Sequence, residues 1–152
     1  MPGIVLVHPE IPPNTGNISR TCVATRTPLY LVGKLGFSLH DRYLRRAGLD
    51  YWVDLQFDYR ETLEELRQVR PEARLVLTSV RGDVTYDKFD YSPEDLIVFG
   101  SESLGLGQEL IRATDSPTIR VPTWGPVRSL NLSNAVAIVL YEAYRQLGTF
   151  PG

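Results

Sequence analysis

Asn14, Asn17 and Arg20 recur three residues apart in the segment PPNTGNISRTCVAT (12–25). Residues at that spacing are neighbours on a helix, so two amides and a guanidinium read as one polar edge. Such an edge at the end of a first strand suits an oxyanion or a phosphate. The structural alternative is that Asn14 caps the helix and Arg20 is a solvated cation. A second group lies in FGSESLGLG (99–107), where Glu102 stands among Gly100, Gly105 and Gly107. Glycine lets backbone curl close to a ligand. The carboxylate would either accept N–H bonds from its own loop or the next helix, or hold a ribose hydroxyl or another substrate group. The third group opens RSLNLSNAVAIVLYEAYRQLG (128–148), with Arg128, Ser129, Asn131, Ser133 and Asn134 ahead of an apolar run. A helix begins with unpaired N–H groups, and one side chain is enough to cap it. The surplus either shares in the capping or lines a pocket for a polar ligand.

Other chemistries find little support. The glycine loop is not G-x-G-x-x-G, and no Gly-Lys-Ser/Thr follows it, so neither a dinucleotide fingerprint nor a P-loop is present. The sequence has no G-x-S-x-G hydrolase elbow. His8 and His40 are the only histidines and Cys22 the only cysteine, without H-x-x-x-H or C-x-x-C, so no transition-metal site is expected. Cys22 shares an apolar helix face with Ile18 and reads as core. His8 reads as a loop residue with structural bonds. A lone cysteine and an N-terminus without a basic, then long apolar, leader point to a cytoplasmic location. The longest apolar runs fall short of the roughly 20 residues of a membrane span.

These groups need a scaffold, and 152 residues with 43% hydrophobic and 22% charged content suit one globular domain, 1–152. Strand and helix patterns alternate along it. Strands are expected at 3–8, 29–33, 74–80, 95–100 and 118–122. Helices are expected at 14–26, 40–48, 59–70, 107–114 and 128–148. The segment 51–58 alternates, with Tyr51, Val53, Leu55 and Phe57 on one face. In the last helix Leu132, Val136, Val139, Leu140, Ala143 and Leu147 form an apolar stripe, and Gly148 is a suitable stop. This order predicts an α/β fold, a mostly parallel sheet with helices on both faces. Ligands of such sheets gather at the carboxyl ends of the strands. Three late loops fall there: Thr78 to Gly82, 99–107 and 121–134.

Taken together, NTGNISRTC, IVFGSESLGLG and IRVPTWGPVRSLNLSNAVAIVLYEA resemble the three ordered motifs of the SPOUT RNA methyltransferases. EIPPNTGNISR, LRRAGLDYW and SLNLSNAVAIVLYEAYRQLG are similar, more narrowly, to the compact tRNA (cytidine/uridine-34-2'-O)-methyltransferase type. The resemblance covers nearly the whole chain. It implies a C-terminal deep trefoil knot, which strand patterns would never suggest. It implies S-adenosyl-L-methionine as cofactor, met by Leu77, Gly100, Val121 and Ser129, with Thr78 and Leu130 nearby. It also implies a homodimer with the last helix at the interface, so that Tyr141 and Tyr144 would be partly interfacial and each site would use both chains.

The implied chemistry is in-line displacement at a sulfonium methyl by a ribose 2'-hydroxyl, for which alignment supplies much of the rate. The family assigns activation to the motif-one arginine, here Arg20. A guanidinium keeps its proton to above about pH 12, so an orienting role on the hydroxyl and adjoining phosphate fits better, with the proton leaving to phosphate or water. Asn14, Asn17, Glu102, Ser129 and Asn131 would hold loops and substrate. Leu104 departs from the pattern, since many relatives are basic there; Trp124 either stacks on a base or packs.

The substrate expected is the anticodon stem-loop of tRNA. Net charge is −2, so a polyanion needs a local basic surface, and fourteen of the sixteen Lys and Arg residues are Arg. Arg42, Arg45 and Arg46 form one candidate patch, assisted by Arg20 and Arg128; the alternative is a plain solvated helix face. The competing functions are modification of another tRNA or rRNA ribose, a non-catalytic RNA-binding relative, and, more distantly, an α/β nucleotide binder.

Overall fold

A computed structural model of the chain describes residues 1–39 and 49–152. The helix expected at 40–48 lies outside them, and with it Arg42, Arg45 and Arg46. Strand β1 (Gly3–Val7) leads into helix α1 (Pro12–Ala24), then β2 (Leu29–Val32), a short 3-10 helix (Leu49–Asp54), β3 (Phe57–Arg60) and α2 (Leu63–Val69). Next come β4 (Arg74–Thr78), β5 (Val84–Thr85), β6 (Asp95–Phe99), α3 (Gln108–Thr114), β7 (Thr118–Arg120) and α4 (Leu132–Leu147).

The strands form one seven-stranded sheet in the order β3-β2-β1-β6-β4-β7-β5. Every pairing is parallel; Ile4 aligns with Leu29 on one side and with Ile97 on the other. Successive strand residues face opposite sides, and this splits the core in two. Ile4, Leu6, Leu29, Leu31, Val76, Ile97 and Ile119 pack with Ile18 and Cys22 of α1 and Val136, Val139, Leu140 and Ala143 of α4. Val5, Val7, Val32, Leu75, Leu77, Leu96 and Val98 pack on the other face with Leu66 of α2 and with Leu110 and Ile111 of α3. Both faces of β1 are therefore dry, which is why the strand reads as an unbroken apolar run.

Several elements differ from their sequence patterns. The alternation over 51–58 is not one strand. It is cut between the 3-10 helix and β3, leaving Val53 90% exposed. The helix expected from residue 59 starts at Leu63, because Tyr59 and Arg60 complete β3 and Thr62 caps α2, its Oγ1 accepting from Glu65 N at 3.1 Å. Strand β5, two residues long, is too short to show a period. The last helix begins at Leu132, with Asn131 as its N-cap; Asn131 Oδ1 accepts from Ser133 N at 2.9 Å. Gly148 ends it in the left-handed conformation (φ 66°), its N–H reaching the carbonyls of Tyr144 and Arg145.

Tyr144 is a core residue of the single chain. It is 6% exposed, and its hydroxyl lies 2.6 Å from Thr27 Oγ1, which ties α4 to the entry of β2. Tyr141, three residues earlier, is 49% exposed. Also at the amino ends of the strands, Arg74 makes a forked pair with the buried Asp95, at 2.7 and 2.9 Å, pinning the starts of β4 and β6 together. Forked pairs of this kind fix geometry as well as adding energy. Among the described residues no helix is long and apolar enough to cross a membrane.

Candidate active site

The carboxyl ends of β4, β6 and β7 open onto a single cavity of about 620 Å³. Its walls are the three late strand-to-helix loops together with the start of α1. Thr78, Gly100, Val121, Ser129 and Leu130 line it, as do Asn14, Glu102, Arg128 and Asn131. Leu77 does not; its side chain is fully buried against the α2–α3 face of the sheet. In a strand the neighbour of an inward residue points outward, so Thr78 reaches the cavity and Leu77 turns away. Thr78 is itself committed, since its hydroxyl donates to Val98 O at 2.9 Å.

Glu102 fastens the glycine loop to the mouth of α1. Its Oε1 accepts from Glu10 N at 3.0 Å, and its Oε2 accepts from Ile11 N at 2.6 Å and from Asn14 Nδ2 at 3.4 Å. Asn14 Oδ1 in turn accepts from Asn131 Nδ2 at 3.0 Å. One line of hydrogen bonds thus joins all three motifs, from the loop after β6, through α1, to the cap of α4. Asn14 is not a helix cap. It is the third residue of a helix that begins with Pro12 and Pro13 after Ile11, and it is 6% exposed. A second clasp runs beside the first: Ser103 donates to Glu10 Oε1 from its hydroxyl at 2.5 Å and from its amide at 3.1 Å. These bonds hold the Glu10 carboxyl below its ordinary pKa, the hydroxyl bond most of all. Arg128 Nη2 closes the ring by donating to Ser103 O at 2.7 Å.

Asn17 and Arg20 do not join this group. Both are on the exposed side of α1, outside the cavity wall, whereas Asn14 is buried. The polar edge inferred from their spacing of three is a spiral: each step of three turns about 300°, so the edge drifts by about 60° per step. Cys22, further along, is fully buried, and burial pushes its thiol up to about 12. His8 is exposed with φ 52°, its Nδ1 3.2 Å from Lys34 O.

The glycine loop owes its shape to contacts within itself. A Cβ built on Gly100 would lie 2.0 Å from Gly105 C and 2.2 Å from Leu106 N. The loop folds back through Gly105 N donating to Ser101 O at 2.9 Å, and Gly105 and Gly107 take φ 66° and 77°. Gly100 therefore makes room for its own loop. The floor includes residues whose sequence pattern indicates only core, among them Phe99, Ile119, Ala135 and Val139. Glu10 carries no sequence signal of its part in the site, because its partner Ser103 is 93 residues away in the chain.

The family model for the SpoU rRNA methylases matches residues 2–141. The chain belongs to the SpoU rRNA methylase family. It is 45% identical to the tRNA (cytidine(34)-2'-O)-methyltransferase of Yersinia pestis, covering 100% of this chain and 97% of that one. It is 43% identical to the enzyme of the same name from Escherichia coli, with 100% and 97% covered. Among solved structures, one described as giving structural insights into the 2-OH methylation of C/U34 on tRNA superposes with a TM-score of 0.92 at 42% identity, covering 97% of each chain. The SpoU methyltransferase AviRb of Streptomyces viridochromogenes, in complex with AdoMet, superposes at 0.86 with 27% identity, over 97% of this chain and 61% of that one.

S-adenosylmethionine is the cofactor of the family, and the chemistry of the residues around the cavity fits it. The volume is that of a pocket for a nucleoside-sized ligand. Apolar side chains from Val121, Leu130, Leu132 and Ala135 suit an adenine ring, while the loop backbone and Ser129 offer polar partners for ribose and amino acid. Among the described residues no cluster of His, Cys, Asp and Glu is placed to hold a metal ion.

Proposed function

We infer that this chain is an S-adenosylmethionine-dependent tRNA methyltransferase that modifies the ribose 2'-hydroxyl of the wobble nucleotide, position 34, the reaction carried in the names of its full-length relatives. One observation carries the reading: the Glu102–Asn14–Asn131 line draws the glycine loop, the start of α1 and the cap of α4 around one cavity at the carboxyl ends of parallel strands. Bound S-adenosylmethionine supplies an electrophilic methyl group on a sulfonium. The chain supplies position. Thr78, Gly100, Val121, Ser129 and Leu130 hold the cofactor, and Leu77 contributes through backbone alone. Asn14, Glu102 and Asn131 hold the loops at their spacing. Arg20, with Asn17 beside it, orients the substrate hydroxyl and neighbouring phosphate from the exposed side of α1.

An exposed apolar strip on and after α4, made by Ile138, Tyr141 and Phe150, supports a homodimer through the last helix. A trefoil knot through the loops of residues 100–107 and 121–131 belongs to the same reading; it is supported by the strand order, which sets β4 between β6 and β7.

Mass spectrometry of nucleosides from tRNA of a deletion strain tests the function. The 2'-O-methyl mark at position 34 should vanish and return on complementation. Loss of a mark from another tRNA position or from rRNA would replace the substrate. Calorimetry showing no binding of S-adenosylmethionine would remove the assignment altogether.

A further inference from the structure

Trp124 is 93% exposed, although indole is among the most apolar surfaces a protein can present. Single exposed apolar residues are ordinary. This one has company: Leu104 is 84%, Val80 58% and Val127 57% exposed. Leu104 and Val80 line the cavity, and Trp124 and Val127 stand in the β7–α4 connection whose two ends line it. Arg128 draws that connection against the glycine loop through its 2.7 Å bond to Ser103 O. Among the described residues Trp124 stacks on no other ring. A Cβ built on the next residue, Gly125, meets nothing within 4 Å, so the chain leaves this side of the loop open.

We propose that Trp124 is the stacking platform for an unpaired nucleobase of the RNA substrate, with Arg128 taking an adjoining phosphate. The proposal rests on the RNA methyltransferase reading above. Three features favour a base over a second protein surface. First, an exposed aromatic and an arginine in one loop suit unpaired RNA: every base has a face to stack, and each is joined to a phosphate. Second, Arg128 spends one donor on Ser103 O, and a guanidinium has five. A polyanion offers those remaining donors a phosphate at every nucleotide, whereas an apolar face of a second copy would leave them without an acceptor. Third, Pro122 and Pro126 flank Trp124, and fixed φ on both sides lowers the ordering cost of presenting the ring.

The test compares wild type, Trp124→Ala and Trp124→Phe on a wobble-loop RNA stem-loop, at saturating S-adenosylmethionine. Stacking predicts that Trp124→Ala raises the KM for RNA about tenfold, with kcat, cofactor Kd and sedimentation unchanged, and that Trp124→Phe recovers most of the loss. Adding the stem-loop should quench tryptophan fluorescence in wild type and not in Trp124→Phe, which keeps only Trp52. Normal KM and unquenched fluorescence, while methyl transfer proceeds, overturn the stacking role alone. A loss of affinity that tracks a change in sedimentation overturns it in favour of an interface between copies of the chain. Quenching by an RNA that is bound but never methylated keeps the platform and removes the catalytic reading. No binding at all removes both.

Discussion

Arg20 and Glu102 are both charged residues in family motifs, yet they do different work. Glu102 is spent inside the protein: its carboxylate oxygens accept two backbone amides and one side-chain amide. Its role is to hold shape. Arg20 is exposed and lies outside the cavity, so it can meet RNA without disturbing the cofactor. Arg20→Ala should therefore abolish methyl transfer and leave S-adenosylmethionine affinity within about twofold, a separation that paired turnover and calorimetry would read. Normal turnover would end its proposed role. Cys22 marks the other extreme. Burial pushes its thiol from 9.0 up to about 12, and the thiolate is the reactive form. Thiol reagents at pH 8 should leave native protein untouched and label it only on unfolding. The sign of the pH effect follows. Between about 9 and 12 the thiol ionises in the unfolded chain but not in the folded one, so stability falls as pH rises through that window. Urea titrations at pH 8 and pH 10 would show it as a lower midpoint at the higher pH.

Loops at strand ends carry much of the site, and the glycine loop is held by partners far away in sequence. Residues 100–107 form a folded unit that needs glycine at its root, because the backbone of Gly105 and Leu106 occupies the space of any side chain at residue 100. Gly100→Val must displace those atoms. The expected result is a cofactor Kd raised at least about tenfold while far-ultraviolet circular dichroism is unchanged, since β6 and the rest of the sheet do not depend on the loop. The cause would be a misplaced loop, which a structure of the variant distinguishes from simple filling of the pocket. Legibility in the sequence follows the same division. Patterns over 3–8, 29–33 and 95–100 locate strands to within a residue because both faces are buried. The pattern over 51–58 misleads, because alternation describes a strand and says nothing about where a chain turns into a 3-10 helix. The Asn14–Asn17–Arg20 edge looks like one face because a spacing of three is close to a helical turn, but over six residues the drift suffices to bury one end and expose the other.

Over the whole molecule the question is how a chain of net charge −2 holds a polyanion. Bulk attraction fails, so the grip must be local. Arg42, Arg45 and Arg46 remain the sequence's candidate patch. The double variant Arg45→Glu with Arg46→Glu should weaken tRNA binding for all sequences alike and lower the salt slope by roughly one unit for each phosphate no longer neutralised. Cofactor binding should not change. Equal affinity at low and moderate salt would take this segment out of the RNA surface.

The sequence by itself determined the α/β class, the strand-to-helix loops at which ligands collect, and, through three ordered motifs, the family and its cofactor. Those properties are local: a strand's apolar run, a helix's stripe and a motif's order are written in neighbouring residues. Only the tertiary structure decided that Glu102 is a clasp, that Leu77 turns away from the cavity, that Tyr144 is bonded to Thr27 in the core, and that Glu10 belongs to the site at all. Each depends on atoms brought together across about ninety to a hundred and twenty residues, or on which side of a sheet a side chain falls. Spacing along a chain does not encode such meetings; packing both faces of a seven-stranded parallel sheet does.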